Sequence, residues 1–208
     1  MIKGNIKILD TDATIQKNLL DSMQSATKLL FNRARPRIES DVKAAVVDAL
    51  SVCPEILSLK SGKLKYDFGI PGDPADDIIY AIANSTYVSF RNFSLKLSGS
   101  SVAFNIFIQP SDFQNLLSLE VASVITEKGE SLPWLSWLLT AGDAIIVDSY
   151  RVKYDTANPK SRSGGAIMVP NGFFKVDSSF SGTEDDNFIT RALNRYQNRI
   201  IESVEKNL

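Results

Sequence analysis

The chain of 208 residues is 44% apolar and 23% charged, the proportions of a globular protein and not of a disordered or fibrous one. Its histidine count is 0 and its only cysteine is Cys53, which excludes Ser-His and Cys-His dyads, His- or Cys-ligated zinc, iron–sulfur sites and an internal disulfide. The net charge of −1 is unevenly spread: residues 1–68 hold 11 basic and 8 acidic side chains, whereas 110–150 hold Lys128 alone against six acids, so the chain lacks the strong basic excess of a duplex-coating protein.

The opening residues carry charges at Lys3 and Lys7 and no long apolar run, so a secretory signal is not expected there. The longest apolar stretch, Leu132 to Ala141, is too short to span a bilayer and contains Pro133. The expected setting is the cytoplasm. Along 12–35, Ile15, Leu19, Leu20, Met23, Ala26, Leu29 and Leu30 recur at spacings of three and four, which predicts an amphipathic helix capped by Asp10, Thr11 or Asp12. Ile38, Val42, Ala45, Val46, Ala49 and Leu50 form a second stripe. Pro36 between them predicts a broken helix or a helical hairpin.

The middle of the chain changes character. Lys65 to Ile70 reads as a short strand and Pro74 to Asn84 as a short helix with Asp76 and Asp77 near its positive end. Thr86 to Leu97 and Ser101 to Gln109, joined by Ser98-Gly99-Ser100, predict a β-hairpin. Ala144 to Lys153, Ala166 to Val169 and Phe173 to Val176 are further strands, the last two linked by a Pro170-Asn171-Gly172 turn. Residues 110–126 fit helix and strand equally. From Thr183 the period is helical again, with Thr183 and the acids Glu184, Asp185 and Asp186 as cap and first turn. The expected fold is a single α+β domain over 1–208: a helical part at 1–50, a sheet-rich part at 65–176, and a C-terminal helix at 184–208. Its long terminal helices are expected to pack on a mostly antiparallel central sheet.

Few residues suggest chemistry. Lys60-Ser61-Gly62-Lys63 lacks the full phosphate-loop pattern and reads as a turn with solvated lysines. Ser161-Arg162-Ser163-Gly164-Gly165 is a polar loop that opens a strand, with backbone N–H groups able to cradle an anion. The cluster Glu184-Asp185-Asp186 reads as helix capping before it reads as a cation site. Arg33, Arg35 and Arg37 are the most basic point, either a solvated helix end or a phosphate contact. Cys53 reads as a buried small apolar residue. Trp134 and Trp137, in Pro133-Trp134-Leu135-Ser136-Trp137-Leu138-Leu139, are core residues or a partner anchor. Trp134, Trp137, Arg162, Arg33, Arg35 and Arg37 are thus the candidate oligomer or partner interface, with no catalytic, cofactor or metal residues assigned.

The segments Pro133 to Trp137, Ser161 to Val169, Phe180-Ser181-Gly182-Thr183 and Asp186 to Leu193 resemble virion proteins of tailed bacteriophages. The likeness is to the neck or tail-completion group, which joins the head connector to the tail. Ser61-Gly62-Lys63-Leu64 is similar to that group's Ser-Gly-x-Leu step. The resemblance implies a structural, non-enzymatic subunit in a sixfold or twelvefold homo-oligomeric ring, without cofactor. It implies neighbouring virion proteins as partners (portal or adaptor, tail tube or terminator), no membrane, and at most transient contact with passing DNA. The place implied is the virion, assembled in the host cytoplasm. In such a ring the acidic 110–150 sector would meet basic residues of 1–68 or 151–208 on a neighbour. A tail-terminator or baseplate subunit is the alternative. A carboxylate hydrolase working without histidine on a sugar or phosphate is the other, and it requires two acids converging in a pocket with one pKa raised.

Overall fold

The computed structural model describes residues 11–96, 99–156 and 158–207. The class is α+β, with helices dominant and every strand pair antiparallel. Helix α1 (Asp12–Ser51) runs unbroken for 40 residues, about 60 Å at 1.5 Å per residue. Thr11 caps it, its hydroxyl accepting from the Thr14 N–H at 3.3 Å. The expected break at Pro36 does not occur. Pro36 lies on the exposed side of the helix, where its missing N–H leaves one carbonyl to solvent. Directly after it, Ile38, Val42, Ala45, Val46, Ala49 and Leu50 are all buried, and their burial holds the backbone helical through the defect.

Three short helices follow: α2 (Pro54–Ser61), α3 (Lys63–Asp67) and α4 (Ala75–Ser85). The expected strand at 65–70 is therefore helix and turn. Gly62 allows the tight step from α2 to α3, since a Cβ there would lie 2.8 Å from the Ser58 Cα, and the Ser58 hydroxyl accepts from the Leu64 N–H at 2.9 Å. With α3 started in this way, Leu64 and Phe68 reach the core four residues apart, as helix and not strand spacing allows.

Among the described residues the strands form three separate two-stranded ribbons. The hairpin of β1 (Tyr87–Lys96) and β2 (Gly99–Phe107) lies where it was expected, with β1 against α1 and Gly99 and Ser100 already paired within β2. Leu97, the last residue of the expected first strand, and Ser98 of the expected turn lie outside the described residues. The ambiguous stretch resolves into α5 (Gln114–Leu117), one 3-10 turn at Glu120–Ala122, and β3 (Val124–Ile125), which pairs with β4 (Ser131–Leu132). Helix α6 (Trp134–Thr140) precedes the third ribbon, β5 (Val147–Tyr154) with β6 (Ala166–Phe174).

The Pro170-Asn171-Gly172 segment is not a turn between two strands. It is a bulge within β6, where Asn171 and Gly172 oppose Ser149 alone between the pairs Asp148–Phe173 and Tyr150–Pro170. Ser149 and Asn171 both take φ of 68°, and Asn tolerates that region better than most side chains. The C-terminal helix begins later than expected and is divided into α7 (Phe188–Arg195) and α8 (Gln197–Glu205) by Tyr196. Its cap is Asn187, whose side chain accepts from the Ile189 and Thr190 N–H groups while the Thr190 hydroxyl accepts from the Asn187 N–H. Glu184, Asp185 and Asp186 sit in the turn before it, outside the helix.

One core joins α1 from Ile38 onward to α2, α4, α6, α7 and α8. Phe68 is its aromatic centre, 5.6 Å from the Trp134 ring and 6.0 Å, edge to face, from Phe174. Among the described residues no helix is long and apolar enough to cross a membrane.

Candidate functional site

The described residues offer two places for function: a groove between α3 and the third ribbon, and the solvent-facing half of α1. The groove begins with helical spacing, which puts Lys63 and Asp67 one turn apart on one face of α3. Arg151 and Tyr154 from β5 and Lys175 and Asp177 beyond β6 complete the walls of a cavity of about 350 Å³. The Tyr154 hydroxyl donates to Asp67, and the Lys63 ammonium donates to Asp177. Asp177 also accepts from the Ser179 hydroxyl at 2.7 Å and the Ser179 N–H at 2.9 Å.

These surroundings drive the two carboxyls in opposite directions. Burial pushes the Asp67 carboxyl above its ordinary range, an effect that the Tyr154 hydrogen bond and the Lys63 charge only partly oppose. The Lys63 hydrogen bond, with those from Ser179, holds the Asp177 carboxyl well below the usual carboxylate range. Burial and the bond to Asp67 both raise Tyr154, and the Asp177 bond raises Lys63. One carboxyl easily protonated beside one firmly ionised is the arrangement acid–base chemistry uses, and ion-pair networks of purely structural purpose produce it as well.

Sequence reasoning missed this cluster. Asp67 and Tyr154 are 87 residues apart and Lys63 and Asp177 are 114 apart, so no local pattern joins them. The one local clue, the Lys63/Asp67 spacing, becomes visible only when 63–67 is read as helix.

Several anticipated residues turn out to be structural. Trp134 is fully buried, and its indole N–H donates to the Val121 carbonyl at 2.8 Å. It is a core residue, which corrects its place among the candidate interface residues; Trp137 is half-buried against the same core. Arg162 is exposed but donates to the Ile125 carbonyl at 3.0 Å, tying its loop to β3. That loop is closed by the Ser161 hydroxyl, which donates to the Ala166 carbonyl at 2.7 Å and accepts from the Ala166 N–H at 3.1 Å. The lysines of the Lys60-Ser61-Gly62-Lys63 step are ion-paired and not merely solvated, Lys60 with Asp76 at 3.0 Å and Lys63 with Asp177. Cys53 is buried, and burial pushes its thiol up to about 11. Arg191 binds the buried Glu55 at 2.8 Å and Asp186 at 3.2 Å, fastening α7 to α2.

Arg33, Arg35 and Arg37 are exposed, but they lie in the middle of α1 and not at a helix end. They lie just before Ile38, the first fully buried residue of the helix. N-terminal to them, Ile15, Leu19, Met23, Leu29 and Leu30 are 43–62% exposed. At about 100° per residue, Ile15, Leu19, Met23, Ala26 and Leu30 share one sector, turned about a third of a turn from the face carrying Ile38, Val42, Ala45 and Ala49. Leu20, Thr27, Phe31 and Ala34, aligned with that second face, are half-buried. The helix thus has two apolar faces, one turned toward its own chain and one left in solvent.

Compared with known proteins, the chain matches no family model, no curated protein and no solved structure.

Proposed function

We propose that this protein is a structural subunit of a tailed bacteriophage, part of the neck that joins head to tail, working as an oligomeric ring. The single observation that supports an assembly role is the solvent-facing apolar stripe of α1. An apolar patch of this kind on a soluble chain marks a surface for another protein. The phage assignment itself rests on the resemblance of the segments between Pro133 and Leu193.

Purified particles of the virus that encodes the chain test this reading. Quantitative mass spectrometry is expected to find six or twelve copies per particle, with cross-links to portal or tail proteins. Absence from the particle overturns the neck reading; a copy number and cross-links typical of another station would move the subunit to the terminator or baseplate.

A second reading is favoured by the Asp67 and Asp177 groove, which meets the requirement for a carboxylate hydrolase of two acids with one pKa raised. Against it, each carboxylate already holds a strong partner from the same chain, Tyr154 or Lys63. Hydrolysis of glycosides or phosphate esters, abolished in Asp67→Asn, would establish it. No turnover of either class by the wild-type protein would dismiss it.

A further inference from the structure

We infer that the solvent-facing stripe of α1 docks on the same stripe of a second copy of this chain, the two helices running antiparallel. The inference deepens the assembly reading and rests on it. Three features of the helix single out this occupant. The first is pattern: Leu19, Met23, Ala26 and Leu30 repeat with spacings of four, three and four, the seam of a two-helix coil. A seam of that kind is matched best by another like it, and the opposite side of this segment carries Lys17, Asp21 and Lys28, which could not receive it.

The second is charge. Antiparallel pairing in the register of this seam sets Met23 against the partner's Ala26 layer and Leu19 against its Leu30 layer. The same register sets Asp12 across from Arg37 at both ends of the contact. Parallel pairing would instead bring Asp12 to Asp12 and Arg37 to Arg37, like charges that repel. The third is length: the antiparallel register overlaps the segments from Asp12 to Arg37, which precede Ile38, the first fully buried residue of α1. Each helix would therefore fill the other's open stripe. The contact is isologous and closes at two copies, so a ring needs a further, heterologous surface.

Light scattering of the full-length protein over a range of concentrations is the test. The wild type is expected at twice the 22.9 kDa chain mass and Leu30→Asp at that mass, a twofold drop, with unchanged near-ultraviolet circular dichroism because Leu30 touches nothing in the core. Asp12→Arg should weaken the dimer, and Asp12→Arg combined with Arg37→Asp should restore it; under parallel pairing the combined change restores nothing. A wild type that stays monomeric, or a dimer indifferent to Leu30→Asp, overturns the inference. These outcomes are separable from the neck reading: a monomer present in virions sinks the pairing alone, and a dimer absent from virions sinks the neck alone.

Discussion

Between Ile38 and Leu50 the long helix buries six apolar side chains in the core, whereas between Ile15 and Leu30 the same helix holds five large apolar side chains in solvent. Both halves belong to one continuous helix, and what separates them is tertiary packing. The embedded half is helical because burial rewards it. The N-terminal half is held partly by the half-buried face of Leu20, Phe31 and Ala34 and partly by propagation from a turn already nucleated, at one hydrogen bond per added residue. That half keeps one face against its own chain and presents a second, apolar face to solvent.

The largest test of the contrast is Leu50→Ala, which should lower stability by about 2–5 kcal/mol in urea unfolding, as a buried leucine does. A loss below about 1 kcal/mol would mean that the two halves are not different in kind. Leu30→Ala, measured where the protein is monomeric, should change it by no more than about 0.5 kcal/mol.

Pro36→Ala bears on the junction. With the helix continuous, alanine restores the missing N–H and should stabilise the free half by up to about 3 kcal/mol. The readout is slower hydrogen exchange between Asp12 and Arg35, by up to about two orders of magnitude. Faster exchange after the substitution would show that proline shapes a bend the chain needs.

The groove supplies a smaller contrast of the same form, two carboxyls of one type with opposite surroundings. Asp177, held below its ordinary range, contributes stability that is present above about pH 4 and is lost as pH falls through its folded value. Asp67 is raised, so ionising it costs stability as pH rises from about 4 through its folded value. In unfolding series from about pH 3 to 7, the deficit of Asp177→Asn should therefore grow with pH and that of Asp67→Asn should shrink. Parallel trends would show that the two groups share one environment.

What the sequence disclosed follows the reach of its signals. The six buried positions of α1 from Ile38 to Leu50 were legible because a helical stripe repeats within one turn, and the β1–β2 hairpin because both strands and their turn are contiguous. Pro36 misled because a local rule about proline was outweighed by burial of the residues that follow it, from Ile38 onward. Asn171-Gly172 misled similarly, since the torsions that suit a hairpin turn also suit a bulge. Trp134 has the same composition signal whether it faces a partner or Phe68. The Asp67, Tyr154, Lys63 and Asp177 cluster left only the Lys63/Asp67 spacing as a local trace, because its other members meet it only where the third ribbon lies against α3.

The division of the strands into three ribbons has a consequence for crowding. In a two-stranded ribbon every strand is an edge, so each exposes a row of backbone donors and acceptors that invites another chain to add on. Here β3 and β4 have two residues each, while the longer β5–β6 ribbon carries Pro170, a kinking bulge, and the charges of Arg151 and Lys153 along its length. A proline offers no donor and a bulge twists the row out of line. Along these two ribbons, copies held side by side would meet through side chains and not by adding strand upon strand.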